Sequence, residues 1–233
     1  MAPSKALPAS PPLQSNPSVA PLRLPASARR EKLIEVAVDL FSRKGFKGTT
    51  TREIAAAAGV TEAIIFRHFQ TKEHLYTAII DQKLNSPDTA AWCSALIAAM
   101  DVEDDEAVIR QLITGIIRTH KTDPKFERLM LYAALEGNEI ALQHMRQITA
   151  SIVNLFRKYF RRRQKKGVLS PLPPAIALTA IVGMAQSYAM GKYVHEFKEH
   201  CLSDEQALES FTRVALEGLR VSVPRRRSVS KKK

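Results

Sequence analysis

Reactive side chains crowd together once in this sequence, at His195, Glu196, Glu199, His200 and Cys201. On one helix His195 and Glu199 would share a face, as would Glu196 and His200. The chemistry such a group suggests is zinc-assisted hydrolysis. That reaction needs H-E-x-x-H, with the imidazoles one turn apart on one face and the glutamate as general base. Here the spacing is H-E-x-x-x-H, which carries the second imidazole off the face. Surface pairing of polar neighbours accounts for the cluster better. His120 and His144 are isolated in the sequence, and no G-x-S-x-G elbow, P-loop or dinucleotide fingerprint occurs. The chain reads as a non-enzyme, with no metal and no cofactor.

Recognition chemistry is instead concentrated in residues 49–75, TTTREIAAAAGVTEAIIFRHFQTKEHL. Thr50 and Glu53 have capping-box spacing, the hydroxyl serving free N–H groups while the carboxylate reaches back. The helix that follows carries Ile54, Ala55 and Ala58 on one side, small enough for a close crossing. Gly59 stands where the chain must turn through a left-handed conformation. Val60 follows as an apolar plug, and Thr61 is the expected N-cap of a second helix over 62–69. Ile65 and Phe69, four apart, face inward. Thr71 caps a third helix. Two short helices around a glycine turn are how a helix-turn-helix holds one helix out for a DNA major groove.

The segment before it strengthens that reading. Leu33, Ala37, Leu40 and Phe41 recur at i, i+4, i+7 and i+8, one apolar stripe of a helix. Gly45 stops this helix after Arg43 and Lys44, cations suited to its negative end. With Ala37, Leu40, Phe41, Gly45, Phe46, Thr49 and Thr50, REIA at 52–55, AGVT at 58–61, Phe66, Phe69 and T-K-E-x-L at 71–75, residues 29–75 resemble the N-terminal domain of the tetracycline-repressor (TetR) family of transcriptional regulators. The rest of the chain resembles the family in length and helical character alone.

Composition frames the whole. The chain has 233 residues, 45% of them hydrophobic, which suffices for a small domain plus a larger one. Two cysteines, Cys93 and Cys201, are too few for a disulfide framework and point to a reducing cytoplasm. No apolar run reaches the roughly 18 residues of a membrane span. Residues 1–28 hold seven of the 13 prolines and no acid, and lack the apolar stretch of a signal peptide; they read as a disordered arm. The net charge of +12 sits mostly outside the motif: residues 29–75 carry nine cations and six acids, whereas residues 157–166 contribute +7 and residues 224–233 contribute +6. The internal run reads as a solvated face. The tail can add non-specific phosphate contacts, which would steepen the salt dependence of DNA binding.

Beyond Leu75 every segment reads as helix. The expected stretches are 72–85; 88–100, capped by Asp88; 104–120, with Val108, Leu112, Ile113 and Ile116 inward; and 124–136, opened by Asp123-Pro124 and broken at Gly137-Asn138. Then come 139–166, 175–200 and 204–220, with L-S-P-L-P-P as a loop between the first two. Ala177, Ala180, Ile181, Met184 and Ser187 form a small-residue face on one of the last helices. Phe211, Val214, Ala215 and Leu219 form its counterpart.

The resemblance implies an all-α fold: an N-terminal three-helix helix-turn-helix domain, 29–75, and a larger helical effector-binding and dimerisation domain, 76–222, followed by a basic tail, 223–233. It implies a cytoplasmic homodimer on a palindromic double-stranded DNA operator, a repressor released by a small-molecule effector, with no membrane role. The faces of Ala177, Ala180, Ile181 and Met184 and of Phe211, Val214, Ala215 and Leu219 would be the dimer interface. Arg52 would donate to a guanine edge, and Thr50 and Thr51 would meet phosphate at a helix N-terminus. Ala63 and Ile64 would touch thymine methyls, and Arg67, His68 and Lys72 would contact phosphate. Phe66 departs from the family's usual tyrosine, losing a hydroxyl bond of about 0.5–1.5 kcal/mol. Glu62 departs from a lysine or neutral residue, yet could accept from cytosine N4. The expected effector pocket comprises Trp92, Met100, Phe126, Met130, Met145, Phe156, Met184 and Tyr188. So few acids there favour a mostly apolar ligand. The competing readings are a small-molecule-binding or protein-interaction dimer that does not bind an operator and, well behind it, an unrecognised helical enzyme.

Overall fold

A computed structural model describes residues 25–197 and 202–220. These form α1 (Ala26–Lys44), α2 (Thr51–Ala58), α3 (Glu62–His68), α4 (Lys72–Leu84), α5 (Pro87–Asp101), α6 (Asp105–Thr122), α7 (Pro124–Glu136), α8 (Glu139–Lys165), α9 (Pro174–Ala189) and α10 (Asp204–Leu219). Among the described residues the sole β pairing is an isolated bridge between Leu169 and Arg220, and no helix is long and apolar enough to cross a membrane. The fold is all-α, with a helix-turn-helix at the N-terminal end and a larger helical body after it.

Most helix ends follow the expected chemistry. Thr50 and Glu53 close a reciprocal capping box, Gly59 lies at φ 68°, and Thr71 accepts from the His74 N–H. Four ends differ. Helix α1 begins at Ala26, three residues inside the stretch assigned to the arm. Thr61 is extended but makes no side-chain cap bond, and α3 stops at His68, with Phe69 leaving the helix as an apolar plug. Ser86, not Asp88, caps α5, because Pro87 takes the first helical position.

The fourth difference concerns α9, which was expected to run to residue 200. It ends at Ala189 and passes into a π-helical turn, Met190–Val194. Arg128 donates to the Val194 carbonyl at 3.1 Å and pairs with Glu196 at 3.0 Å, where the backbone takes φ 56°. Lys192, Tyr188 and Tyr193 converge on Asp204 at the start of α10. Although burial opposes it, the hydrogen bonds from these groups and from Lys121 hold the Asp204 carboxyl well below its ordinary range. His195 and Glu196 thus stand past the last helical turn, His195 stacked on Phe197. Glu199, His200 and Cys201 lie outside the described residues, as do the arm up to residue 24 and the tail.

Two apolar cores organise the molecule. One gathers α5, α6, α8, α9 and α10 around Ile113, Phe156, Phe160 and Ala185. The other lies under the helix-turn-helix, where Phe41, Phe46 and Tyr76 pack ring against ring at 5.1–5.8 Å. Residues far along the chain complete it: Phe126, Leu129, Met130 and Ala133 of α7 and Ala141 of α8.

Three cations of the internal basic run are ion-paired, Arg163 largely buried and Arg162 and Lys166 still open to solvent. Arg163 grips Asp105 with two bonds of 2.8 Å and Glu103 at 2.7 Å. Arg162 and Lys166 also pair with Glu103, which sits at φ 58°. The Tyr159 hydroxyl adds a bond to Asp105. This knot ties the α5–α6 turn to the end of α8. His120, isolated in sequence, is buried between α6 and α9, its Nδ1 2.9 Å from the Ile116 carbonyl and its Nε2 3.0 Å from Gln186. Glu127 lies 3.6 Å from the same ring, its carboxyl pushed up by burial.

Candidate nucleic-acid interface

The cap of α2 is tied from two sides. Lys44 pairs with Glu53 at 2.7 Å, and Thr50 gives Glu53 both its N–H and its hydroxyl. The Lys44 bond first, then those from Thr50, lower the Glu53 carboxyl to about 2. Arg52 projects exposed from the first turn of this helix and makes no ion pair among the described residues.

Thr50, Thr51, Phe66 and Lys72 share one groove of about 360 Å³, which Gln70 and Thr71 also line. Two helix N-termini, of α2 and α4, open onto this groove, the arrangement that favours an anion. Phe66 is 46% exposed, so the ring in the usual tyrosine's place is available at the surface. Ala63 and Arg67 are exposed on α3, whereas Ile64 and His68 are half-buried.

Two of the expected contacts are already engaged. The Thr51 hydroxyl donates to Glu62 at 2.8 Å, joining the first residue of α2 to the first of α3. Lys72 turns its ammonium inward, donating to the Phe46 and Thr49 carbonyls at 2.9 Å each and lying 4.1 Å over the Phe46 ring. A cation satisfied twice by carbonyls is a scaffold for the α1–α2 turn before it is a phosphate ligand.

That turn has a further holder, Glu136 at the end of α7, whose carboxylate accepts from the Phe46 N–H at 3.0 Å and the Lys47 N–H at 3.2 Å. Sequence reasoning did not reach it. The signal that could have is an acid in the last turn of a helix, against the sign of the helix dipole. Nothing local links that residue to a turn ninety positions earlier.

The expected effector residues do not line one cavity. Met100, Phe156 and Tyr188 are buried in the body core, with Trp92 and Met184 packed against it; Phe126 and Met130 belong to the core under the head. Met145 is 38% exposed, on a groove along α8. Met and aromatic side chains at such spacing fill cores as readily as they line cavities. The expected dimer face is split. Ala177, Ile181, Ala215 and Leu219 are buried within the chain and Phe211 packs on Tyr188 at 5.9 Å, while Ala180 and Val214 are exposed and Met184 is half-buried.

Residues 33–79 match the family described as bacterial regulatory proteins, tetR family. The HTH-type transcriptional regulator RutR of Escherichia coli is 27% identical over 199 residues, covering 83% of this chain and 92% of RutR. Among solved structures, NalD, the secondary repressor of the MexAB-OprM multidrug efflux pump in Pseudomonas aeruginosa, superposes with a TM-score of 0.64 at 20% identity, over 85% of this chain and all of NalD. AibR, solved in complex with isovaleryl coenzyme A and operator DNA, gives 0.57 at 21% identity, over 80% of this chain and 97% of AibR. The match spans the head in sequence and both parts in fold, and it begins where the first buried residue of α1, Leu33, begins the core. On these grounds residues 33–79 match the tetR-family helix-turn-helix domain, and the chain as a whole is similar in sequence to the transcriptional regulator RutR and in fold to TetR-type repressors.

Proposed function

We propose that this protein acts as a homodimer that binds a palindromic operator and represses transcription until a small, mostly apolar effector releases it. The observation that carries the dimer is an open apolar groove of about 190 Å³ along α9 and α10, lined by Leu172, Ile176, Ala180, Met184, Val214 and Gly218 among others. Ile176 is 60% and Val214 55% exposed, and a side chain at Gly183 or Gly218 would meet nothing, so a second helix pair can approach closely. Leaving such a face in water costs roughly 25 cal/mol per Å². A twofold pair also suits recognition, since one helix reads few base pairs and two read half-sites about 34–36 Å apart.

Thr50, Thr51, Arg52, Glu62, Ala63, Ile64, Phe66, Arg67 and His68 remain the proposed DNA-facing set, Glu62 acting partly through the scaffold, and Lys72 supports the set wholly through the scaffold. AibR, solved with an acyl-coenzyme A and operator DNA, supports effector control in a protein of this fold. The effector must bind the DNA-free state more tightly, because differential affinity alone shifts the equilibrium. Selection of bound duplexes from a random pool tests the reading. Enrichment of a palindrome supports it; no enrichment by the dimer favours a binding protein without an operator.

A further inference from the structure

We propose that Glu136 is a positioning residue for DNA binding: from the last turn of α7, its carboxylate sets the α1–α2 turn, and through it the N-terminus of α2, in the DNA-facing geometry. This inference rests on the DNA-binding reading above and deepens it.

The turn runs from Gly45 to Thr49, and its backbone is served from two sides. On the donor side, the Phe46 and Lys47 N–H groups both point at Glu136, at 3.0 and 3.2 Å. On the acceptor side, Lys72 takes the carbonyls of Phe46 and Thr49, and the Thr49 hydroxyl takes that of Gly45 at 2.8 Å. The Lys47 ammonium returns to the Glu136 carbonyl at 3.0 Å, closing the loop on α7. Hydrogen bonds to a carboxylate are the stronger kind, and here one side chain supplies two of them.

Gly45 is required first by its backbone, and its missing side chain leaves the carboxylate its place. Gly45 lies at φ 72°, and a Cβ there would come 2.2 Å from Glu136 Oε1 and 3.0 Å from the Tyr132 ring. The glycine that ends α1 therefore also makes room for the carboxylate. Thr50, the cap of α2, follows directly on this held segment, and Thr51 and Arg52 follow Thr50. Glu136 does nothing for its own helix, where an acid at the negative end is unfavourable. A residue that breaks the local rule and satisfies a distant turn serves the distant turn. Any movement of α7 against α1 is then carried to the segment that presents Thr50, Thr51 and Arg52.

The test uses the full chain with the duplex best enriched from the random pool and a scrambled duplex of equal length. Glu136→Gln and Glu136→Ala should weaken the selected duplex about tenfold and change the scrambled one less than twofold. Amide exchange at Phe46 and Lys47 should quicken while α4 and α6 stay protected. Tyr132→Phe is the control, because that hydroxyl reaches the Arg43 carbonyl at 3.0 Å from the same helix without touching the turn's N–H groups; it should bind as the parent does. The proposal is overturned if both Glu136 variants bind the selected duplex within twofold of the parent. It is equally overturned if Tyr132→Phe loses as much, or if exchange quickens throughout α1 and α4. Should the parent enrich no duplex, the DNA reading fails separately, and exchange at Phe46 and Lys47 still decides whether Glu136 sets the turn.

Discussion

The Thr51 hydroxyl donates to the Glu62 carboxylate across 2.8 Å, so this acid of the proposed DNA-facing set is oriented by its neighbour helix. An oriented carboxylate can accept from a cytosine N4 group and is repelled by the acceptor edges of guanine and thymine. Glu62→Gln should therefore relax preference at one base pair in each half-site, a discrimination of about 1–3 kcal/mol. Competition titrations with single-base variants read this directly. Tighter binding to every sequence alike would make Glu62 a plain electrostatic penalty.

Lys72 gives the opposite expectation from a surface phosphate ligand. With its ammonium 2.9 Å from two carbonyls, Lys72→Met should cost about 1–3 kcal/mol of stability, measured by denaturant unfolding. The slope of log affinity against log salt should stay the same. A slope reduced by about one would show that the ammonium swings out to phosphate in the complex.

Much of the head could be read from the sequence because its determinants are local. Thr50 with Glu53, Gly59 and Thr71 each act on groups within a turn of themselves, and all four behave as expected. Glu136 could not be read, since its partners Phe46 and Lys47 are ninety and eighty-nine positions away. The end of α9 failed for a related reason: apolar spacing continues to Val194, but Arg128 of α7 and Asp204 of α10 capture the chain and draw it out of the helix. Most of the expected effector residues are divided between the two cores, and Met and aromatic side chains look the same in sequence whether they line a cavity or fill a core.

Acid should loosen α2 in a defined window. Glu53 has its carboxyl lowered from 4.5 to about 2 by Lys44 and Thr50, so the folded state favours the charged form. The contribution is complete above pH 4.5 and is lost as pH falls toward 2. Glu53→Gln should flatten this dependence over the window, followed by amide exchange in α2. An unchanged pH profile in the variant would assign the loosening to another carboxylate.

Val214→Glu on the open face of α10 should yield monomers. The side chain is 55% exposed in the single chain, so the substitution spares the core while placing a charge where the partner would pack. Light scattering should report the mass of one chain, and operator affinity should fall at least about a hundredfold as the second half-site is lost. A variant that stays dimeric would move the interface elsewhere.

The core under the helix-turn-helix is finished by Phe126, Leu129, Met130, Ala133 and Ala141, long after the motif has ended. A chimaera cut at Leu75 and grafted onto another body would therefore carry half a core, and its Gly45 would face whatever residue that body offered in place of Glu136. The proposed operator specificity of this chain is therefore not a cartridge. The smallest piece that can be transplanted with its own packing intact runs through the start of α8, and an exchange of sequence preference must move α7 with the head.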